Sequence, residues 1–313
     1  ALARLGAAVE ACDVEVIWIA GSGKHADLSW QQIDRATSVL TAAGEAGEQA
    51  RTQLAEFISS RYFRNSASVR RLPCSHWRAY ARSLRPTLSE ADRAAWAERL
   101  RAAYAPTGRD LAQLGGQQVL HLVRALWNHL NDRHVPTLVA TYVRRSDGWK
   151  PLATGANLAF LARQTQRAGE TGRPAQQRLV EYVQAQYLSS AEAVRSLPPG
   201  AWRAVAGGLI ETLSKQKQAR WAAALKGAYA EDGEVLAALD IWATESLAHA
   251  LDVLGEADTA PVFLAWMDVA NWQATGPDDL ARLAHHLAHM GDAGREARHD
   301  MAALLENRYL TDA

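Results

Sequence analysis

The sequence predicts an all-α fold, a stack of about seven helical hairpins set in a 125-residue higher-order repeat. Three observations predict it. Residues 54–105 and 179–230 align without a gap, and 22 of the 52 aligned positions are identical. The apolar residues of those segments recur at helical spacing, as in Trp77, Ala81, Leu84 and Leu88. No segment alternates with period two for long enough to build a sheet. The strand-like run at residues 14–20 aligns with residues 139–145, which have a helical pattern.

Taken in order, hairpins begin near Trp30, Trp77, Val119, Leu158, Trp202, Leu247 and Leu280. Successive starts lie roughly 33–47 residues apart, which gives three hairpins to each long period. In the second hairpin the Trp77 stripe is followed by Ser89, a side chain suited to cap the N-terminus of a helix carrying Trp96, Leu100 and Tyr104. The third continues through Leu120, Val123, Trp127 and Leu130 and returns through Leu138 and Tyr142. Breaks rich in Gly, Asp and Pro separate the pairs, as at Pro106-Thr107-Gly108, Ser146-Asp147-Gly148 and Pro198-Pro199-Gly200. A shorter signature marks each copy. Ala43-Gly44-Glu45-Ala46-Gly47 returns as Ala168-Gly169-Glu170-Thr171-Gly172 and again as Met290-Gly291-Asp292-Ala293-Gly294. Residues 1–313 therefore read as one helical-repeat array of about two and a half copies, and the expectation is a segment of a longer protein. One hairpin cannot bury its apolar face alone, so neighbours must stack. Trp77 with Trp202, and Trp96 with Trp221, repeat in register as packing residues do.

The 313 residues are 48% hydrophobic and 22% charged, an ordinary globular composition, and no apolar run approaches the ~18 residues of a membrane helix. Lys plus Arg equals Asp plus Glu, which argues against a simple polyanion binder. Cys12 and Cys74 lack a CxxC partner and a histidine at metal spacing, so buried free thiols are expected of them. Gly21-Ser22-Gly23-Lys24 lacks the upstream glycine and the following Ser or Thr of a phosphate loop, and is expected to be an interhelical loop. Asp278-Asp279 lacks a third carboxylate for Mg²⁺ and suits the N-terminus of a helix after Pro277. His285 and His289, with His286 between them, share a helix face and are a weak candidate for a transition metal. No Glu stands between them, and Arg163, Gln164 and Arg167 occupy the aligned positions. No cofactor is expected.

In plan the chain resembles an α-solenoid, similar to the tetratricopeptide and HEAT/armadillo families of helical-hairpin repeats. Trp77 and Trp202 stand where a tetratricopeptide Trp would, while its small-residue and proline positions do not follow; the sub-period of about 40 residues is nearer HEAT. In such solenoids the first helix of each hairpin lines the concave surface. The resemblance thus implies a groove carrying Arg78, Arg82, Arg124, Asn128, Arg163, Arg167 and Arg203, guanidiniums suited to carboxylates or phosphates. Arginines that merely cover helix flanks are the alternative. Glu245 and Asp252 interrupt the pattern in the next hairpin. The function expected is a non-enzymatic scaffold binding a protein or peptide, an acidic one if the groove is used. Two other readings stay open: an all-α toroid enzyme acting on a carbohydrate or polyprenyl-like substrate, and a HEAT-like nucleic-acid binder.

Overall fold

The computed structural model describes residues 30–256 and 259–310. Among them every regular element is helical: eighteen α-helices, linked by short 3₁₀ and π turns, and no strand. The chain divides into two compact units at Leu152/Ala153. Cys12, the glycine-rich stretch at 21–24 and the strand-like run at 14–20 lie outside the described residues.

In the first unit α1 (Trp30–Ala42) leads through a 3₁₀ turn (Gly44–Gly47) into α2 (Glu48–Tyr62). There follow α3 (Ser66–Val69), α4 (Cys74–Leu84), α5 (Glu90–Tyr104), α6 (Gly108–Gln113), α7 (Gly116–Arg124) with a π turn (Ala125–His129), and α8 (Val135–Arg145). The second unit holds α9 (Gly155–Arg167), a 3₁₀ turn (Gly169–Gly172), α10 (Arg173–Tyr187), α11 (Ala191–Arg195), α12 (Pro199–Leu209) and α13 (Lys215–Leu225), which runs into a π turn (Lys226–Ala230). It continues with α14 (Gly233–Ala237), α15 (Ile241–Val253), α16 (Ala260–Val269), α17 (Pro277–His289) and α18 (Arg295–Leu305).

Local chemistry sets these boundaries. Ser89 accepts from the Asp92 amide at 3.1 Å while the Asp92 carboxylate accepts from the Ser89 amide, a reciprocal cap that starts α5. Ser214 starts α13 with half of that cap, accepting from the Lys217 amide at 3.3 Å. Short α3 and α11 begin at Asn65 and Ser190, whose side chains accept from the third residue onward. Asp278 and Asp279 fall in the first turn of α17, where carboxylates favour the helix dipole.

The starts of α2, α4 and α5 at 48, 74 and 90 are matched by those of α10, α12 and α13 at 173, 199 and 215, each 125 later. The glycine signature has two separate causes. Gly169 and Gly291 close their helices with φ of 58° and 56°, a left-handed conformation that disfavours any Cβ. The second glycine sits against the end of the preceding helix. A Cβ at Gly47 would stand 2.7 Å from the Leu40 carbonyl oxygen, one at Gly294 would stand 2.9 Å from that of Leu287, and one at Gly172 would overlap that of Thr165. The copies also differ: α5 stays α-helical to Tyr104, whereas the second copy turns π at Lys226–Ala230, with Gly227 in the place of Ala102.

Within each unit the first helix of one hairpin packs on the first helix of the next: α1 on α4 and α4 on α7, then α9 on α12 and α12 on α15. Gly208 lets α9 and α12 come close, since a Cβ there would be 2.9 Å from that of Ala162. The cores are aromatic. Trp77 stacks on Phe63 at 4.9 Å and meets Trp96 edge-on at 6.2 Å and 85°. Trp202 meets Trp221 at 6.0 Å and 79°. All four indoles are buried, as their repetition in register predicts. Trp77 Nε1 donates to the Val69 carbonyl at 3.1 Å and Trp202 Nε1 to that of Val194 at 2.9 Å, so short helices α3 and α11 are pinned by the helix that follows each. Tyr104 and Tyr229 lock the same corner by donating to the carbonyls of Leu72 and Leu197.

Candidate functional site

A cluster of basic side chains lies where α4 packs on α7. The α4 stripe that buries Trp77, Ala81 and Leu84 leaves Arg78 half-buried and Arg82 exposed on its flank, with Arg85 at the C-cap. From α7 come His121 and Arg124, both half-buried, and the π turn adds His129. Arg78 Nη1 lies 3.5 Å from His121 Nδ1. Among the described residues no carboxylate comes within ion-pair distance of Arg78, Arg82 or Arg85.

These cations feel one another. Burial, then Arg124, then Arg82 push the Arg78 guanidinium below its usual proton affinity, and it stays charged. His121 is held below the ordinary histidine value by burial and by Arg78 and Arg124. Burial does the same to His129, aided by Arg78, Arg85 and Arg82. Both rings are therefore neutral at pH 7 and add hydrogen-bonding capacity rather than charge. Arg82 and Arg124 also occupy the last turns of their helices, where a cation favours the exposed carbonyls. At the α1 side the surface ends in Asp34, held by His76 at 3.3 Å.

Of the residues that the sequence places on the groove, Arg78, Arg82 and Arg124 come together here. Asn128 is exposed, and its neighbour His129 faces the α4 arginines instead. The π turn is the reason. Its hydrogen bonds span five residues, as in Leu130 N to the Ala125 carbonyl at 3.1 Å, so position 129 rather than 128 lies above Arg124. Sequence spacing at i and i+4 therefore points one residue short. Arg85 was legible, seven residues beyond Arg78 on the same stripe, and so was His121, three before Arg124.

Arg163, Arg167 and Arg203 belong to the second unit, where all three are exposed. There the corresponding surface is organised around Glu245 of α15. Its carboxylate lies 3.9 Å from Arg203, 3.5 Å from Arg282 and 3.7 Å from His286. Arg282 lies over the ring of Trp242 at 3.4 Å, and that tryptophan is 52% exposed. His286 stacks on Phe263 at 4.7 Å. His285 and His289 have ring centroids 4.5 Å apart, and His289 Nδ1 lies 2.8 Å from the His285 carbonyl oxygen. Among the described residues no group of three or more His, Cys, Asp or Glu side chains is placed to hold a metal ion.

A groove of about 620 Å³ separates α5 from the turn between α7 and α8, with Ala91, Ala94, Arg101, Asp132 and His134 on its walls. Asp132 is buried. It accepts from the His134 amide at 3.0 Å and lies 2.9 Å from His134 Nδ1 and 2.8 Å from Arg101 Nε. The Arg101 contact is close but not aligned as a hydrogen bond, so it acts mainly through charge. The second unit has a similar tie, Lys226 to Glu256 at 2.8 Å, so the pair joins a hairpin to its successor rather than marking a ligand.

No family model, no curated protein and no solved structure matches this chain. None of its helices among the described residues is long and apolar enough to cross a membrane.

Proposed function

We propose that the chain is an α-solenoid interaction module that binds an acidic segment of another protein across the α4–α7 face. The solenoid part is supported by the rows of first helices, α1–α4–α7 and α9–α12–α15, and by helix boundaries that recur 125 residues apart. The binding part is carried by one observation: Arg78, Arg82, Arg85 and Arg124 converge from two helices with no carboxylate near the first three. Holding like charges together is unfavourable, and an anion laid between them relieves the repulsion while offering each guanidinium a charge-assisted hydrogen bond.

The face is short. At the aligned positions of the second unit Arg82, Arg85 and Arg124 give way to Gly207, Ile210 and His249. A few carboxylates on one extended segment match that length. Each exposed ion pair contributes only ~0.2–1 kcal/mol, so useful affinity requires several at once. A second reading is a nucleic-acid backbone on the same face. It is favoured by residues 1–152, which hold 20 Lys and Arg against 14 Asp and Glu, and disfavoured by a row too short to follow a strand.

Titration of the full chain with an Asp-rich peptide, and in parallel with a single-stranded oligonucleotide, separates the two. The expected result is peptide binding that weakens at least tenfold in the Arg78→Glu, Arg124→Glu double variant, with an unchanged circular dichroism spectrum. Preferential oligonucleotide binding would move the second reading to first place, and no binding of either probe would remove both.

A further inference from the structure

The two histidines between the arginines have no task in a simple charge-matching surface. His121 accepts from Arg78 Nη1 through Nδ1 at 3.5 Å, a long hydrogen bond that requires Nδ1 to carry a lone pair. The ring is therefore the neutral form protonated at Nε2. Adding the second proton removes that acceptor and places a cation beside Arg78 and Arg124. His129, at the end of the π turn that follows α7, feels the charges of Arg78, Arg85 and Arg82. An anion across Arg78 and Arg124 reverses each of these penalties. It draws the guanidinium away from Nδ1, cancels part of the local positive potential, and gives a newly formed N–H an acceptor.

We infer that binding on this face is proton-coupled: His121 and His129 gain protons when an acidic segment lies across Arg78 and Arg124, so the face holds its partner more tightly in mildly acidic solution than at pH 8. This rests on the proposed binding of an acidic segment, and adds its regulation.

From α4 come the charges of Arg78, Arg82 and Arg85, and from α7 that of Arg124. Helix α1 contributes Asp34, tied to His76 at 3.3 Å. Beyond α7, α8 carries Arg144 and Arg145, and Lys150 of the next turn pairs with Asp147 at 3.0 Å. Asp132, after the π turn, is committed to Arg101 and His134. Among the described residues none of these supplies the two rings with a carboxylate, and an acidic segment laid on the face brings one.

The sign follows from linkage. A group whose proton affinity rises on binding strengthens the complex fully below its free-state pKa, and the gain is lost as pH climbs through its bound-state value. Both rings start below the ordinary histidine value, so the gain in affinity is lost as pH climbs through their bound-state values. A one-unit rise at one histidine gives up to about tenfold in affinity.

The test is anisotropy of a rhodamine-labelled Asp-rich peptide with the full chain from pH 5.5 to 8.0 at fixed ionic strength. The peptide carboxylates stay ionised over that range. Affinity should rise roughly tenfold or more towards pH 5.5. In the His121→Gln, His129→Gln double variant the dependence of affinity on pH should be lost, whatever the affinity at pH 8. Ring ¹⁵N titration of the unmodified protein is a readout independent of variant folding, and both histidines should titrate at higher pH with peptide present. Binding with a flat profile, or ring pKa values that peptide leaves unmoved, overturns the coupling and leaves the acidic-segment reading intact. Absence of binding at every pH overturns both.

Discussion

The Trp96 indole Nε1 donates to Ser59 Oγ at 2.9 Å, whereas Trp221, its counterpart 125 residues on, buries the same group without a hydrogen-bond partner. Gln184 stands where Ser59 does and does not replace the contact. A buried polar group left unpaired loses its hydration for nothing in return.

The two tryptophans should therefore respond unequally to the same change. Trp96→Phe removes apolar area and a hydrogen bond; Trp221→Phe removes similar area and an unpaired N–H. The second substitution should be less destabilising by about 1 kcal/mol. Because damage in a stacked array stays near its source, hydrogen exchange of amides in α5 and α13 reads the two costs separately. Equal costs would mean that the Ser59 contact contributes nothing. Trp→Ala at either site should cost ~3–5 kcal/mol, the range for large aromatic truncations.

The two hairpin ties should also differ. Asp132 has a side chain only 4% exposed, and removing it as Asp132→Ala leaves Arg101 without its counter-charge and the His134 amide without its acceptor. A loss of about 3 kcal/mol is expected, as for other buried pairs broken on one side. Lys226 and Glu256 are 35% and 33% exposed, and Glu256→Ala should cost less than about 1 kcal/mol. Urea unfolding followed at α5 and at α13 measures both, and a larger effect at Glu256 would contradict the assignment.

How much of this was legible follows from which physics the sequence encodes directly. Helix periodicity and turn chemistry are local, so the Trp77 and Trp202 stripes, the Ser89 cap and the glycine signature give boundaries that the fold keeps. The basic face was half legible. Arg78, Arg82 and Arg124 share a phase that survives folding, whereas His129 reaches the face only because the chain passes from α7 into a π turn, a change of hydrogen-bond register that no residue spacing announces. Arg203 repeats Arg78 in sequence, yet Glu245 draws it into a different network, because the facing helix differs between the two copies.

Cys74 sets a simple check on the first core. Its thiol is buried where α4 begins, and burial, only partly offset by a backbone hydrogen bond, pushes its pKa up to about 12. The Cys74 amide donates to Gln118 Oε1 at 2.9 Å, which closes the site from the α7 side. A thiol with so little thiolate at pH 7 should resist maleimide in the native protein and react after denaturation. Peptide mapping after brief native labelling reads this position separately from Cys12. Rapid native labelling at Cys74 would show that the α4–α7 contact opens readily.

Acid should weaken the fold through the same histidines that are proposed to strengthen binding. His121 and His129 have folded-state pKa values below those of the unfolded chain, so between the two values the unfolded chain binds more protons. Their stabilising contribution is complete above about pH 6.5, falls as pH drops through that value, and levels off below the folded-state values. The melting temperature should decline from pH 7.5 to 5.5, and the decline should be about 1–3 °C smaller in the His121→Gln, His129→Gln double variant. Part of the decline should persist in that variant. His286 is also held below its ordinary value, because burial outweighs the opposing pull of Glu245. Circular dichroism melts at matched ionic strength measure the difference, and identical declines in the two proteins would show that the arginines do not restrain protonation of either ring.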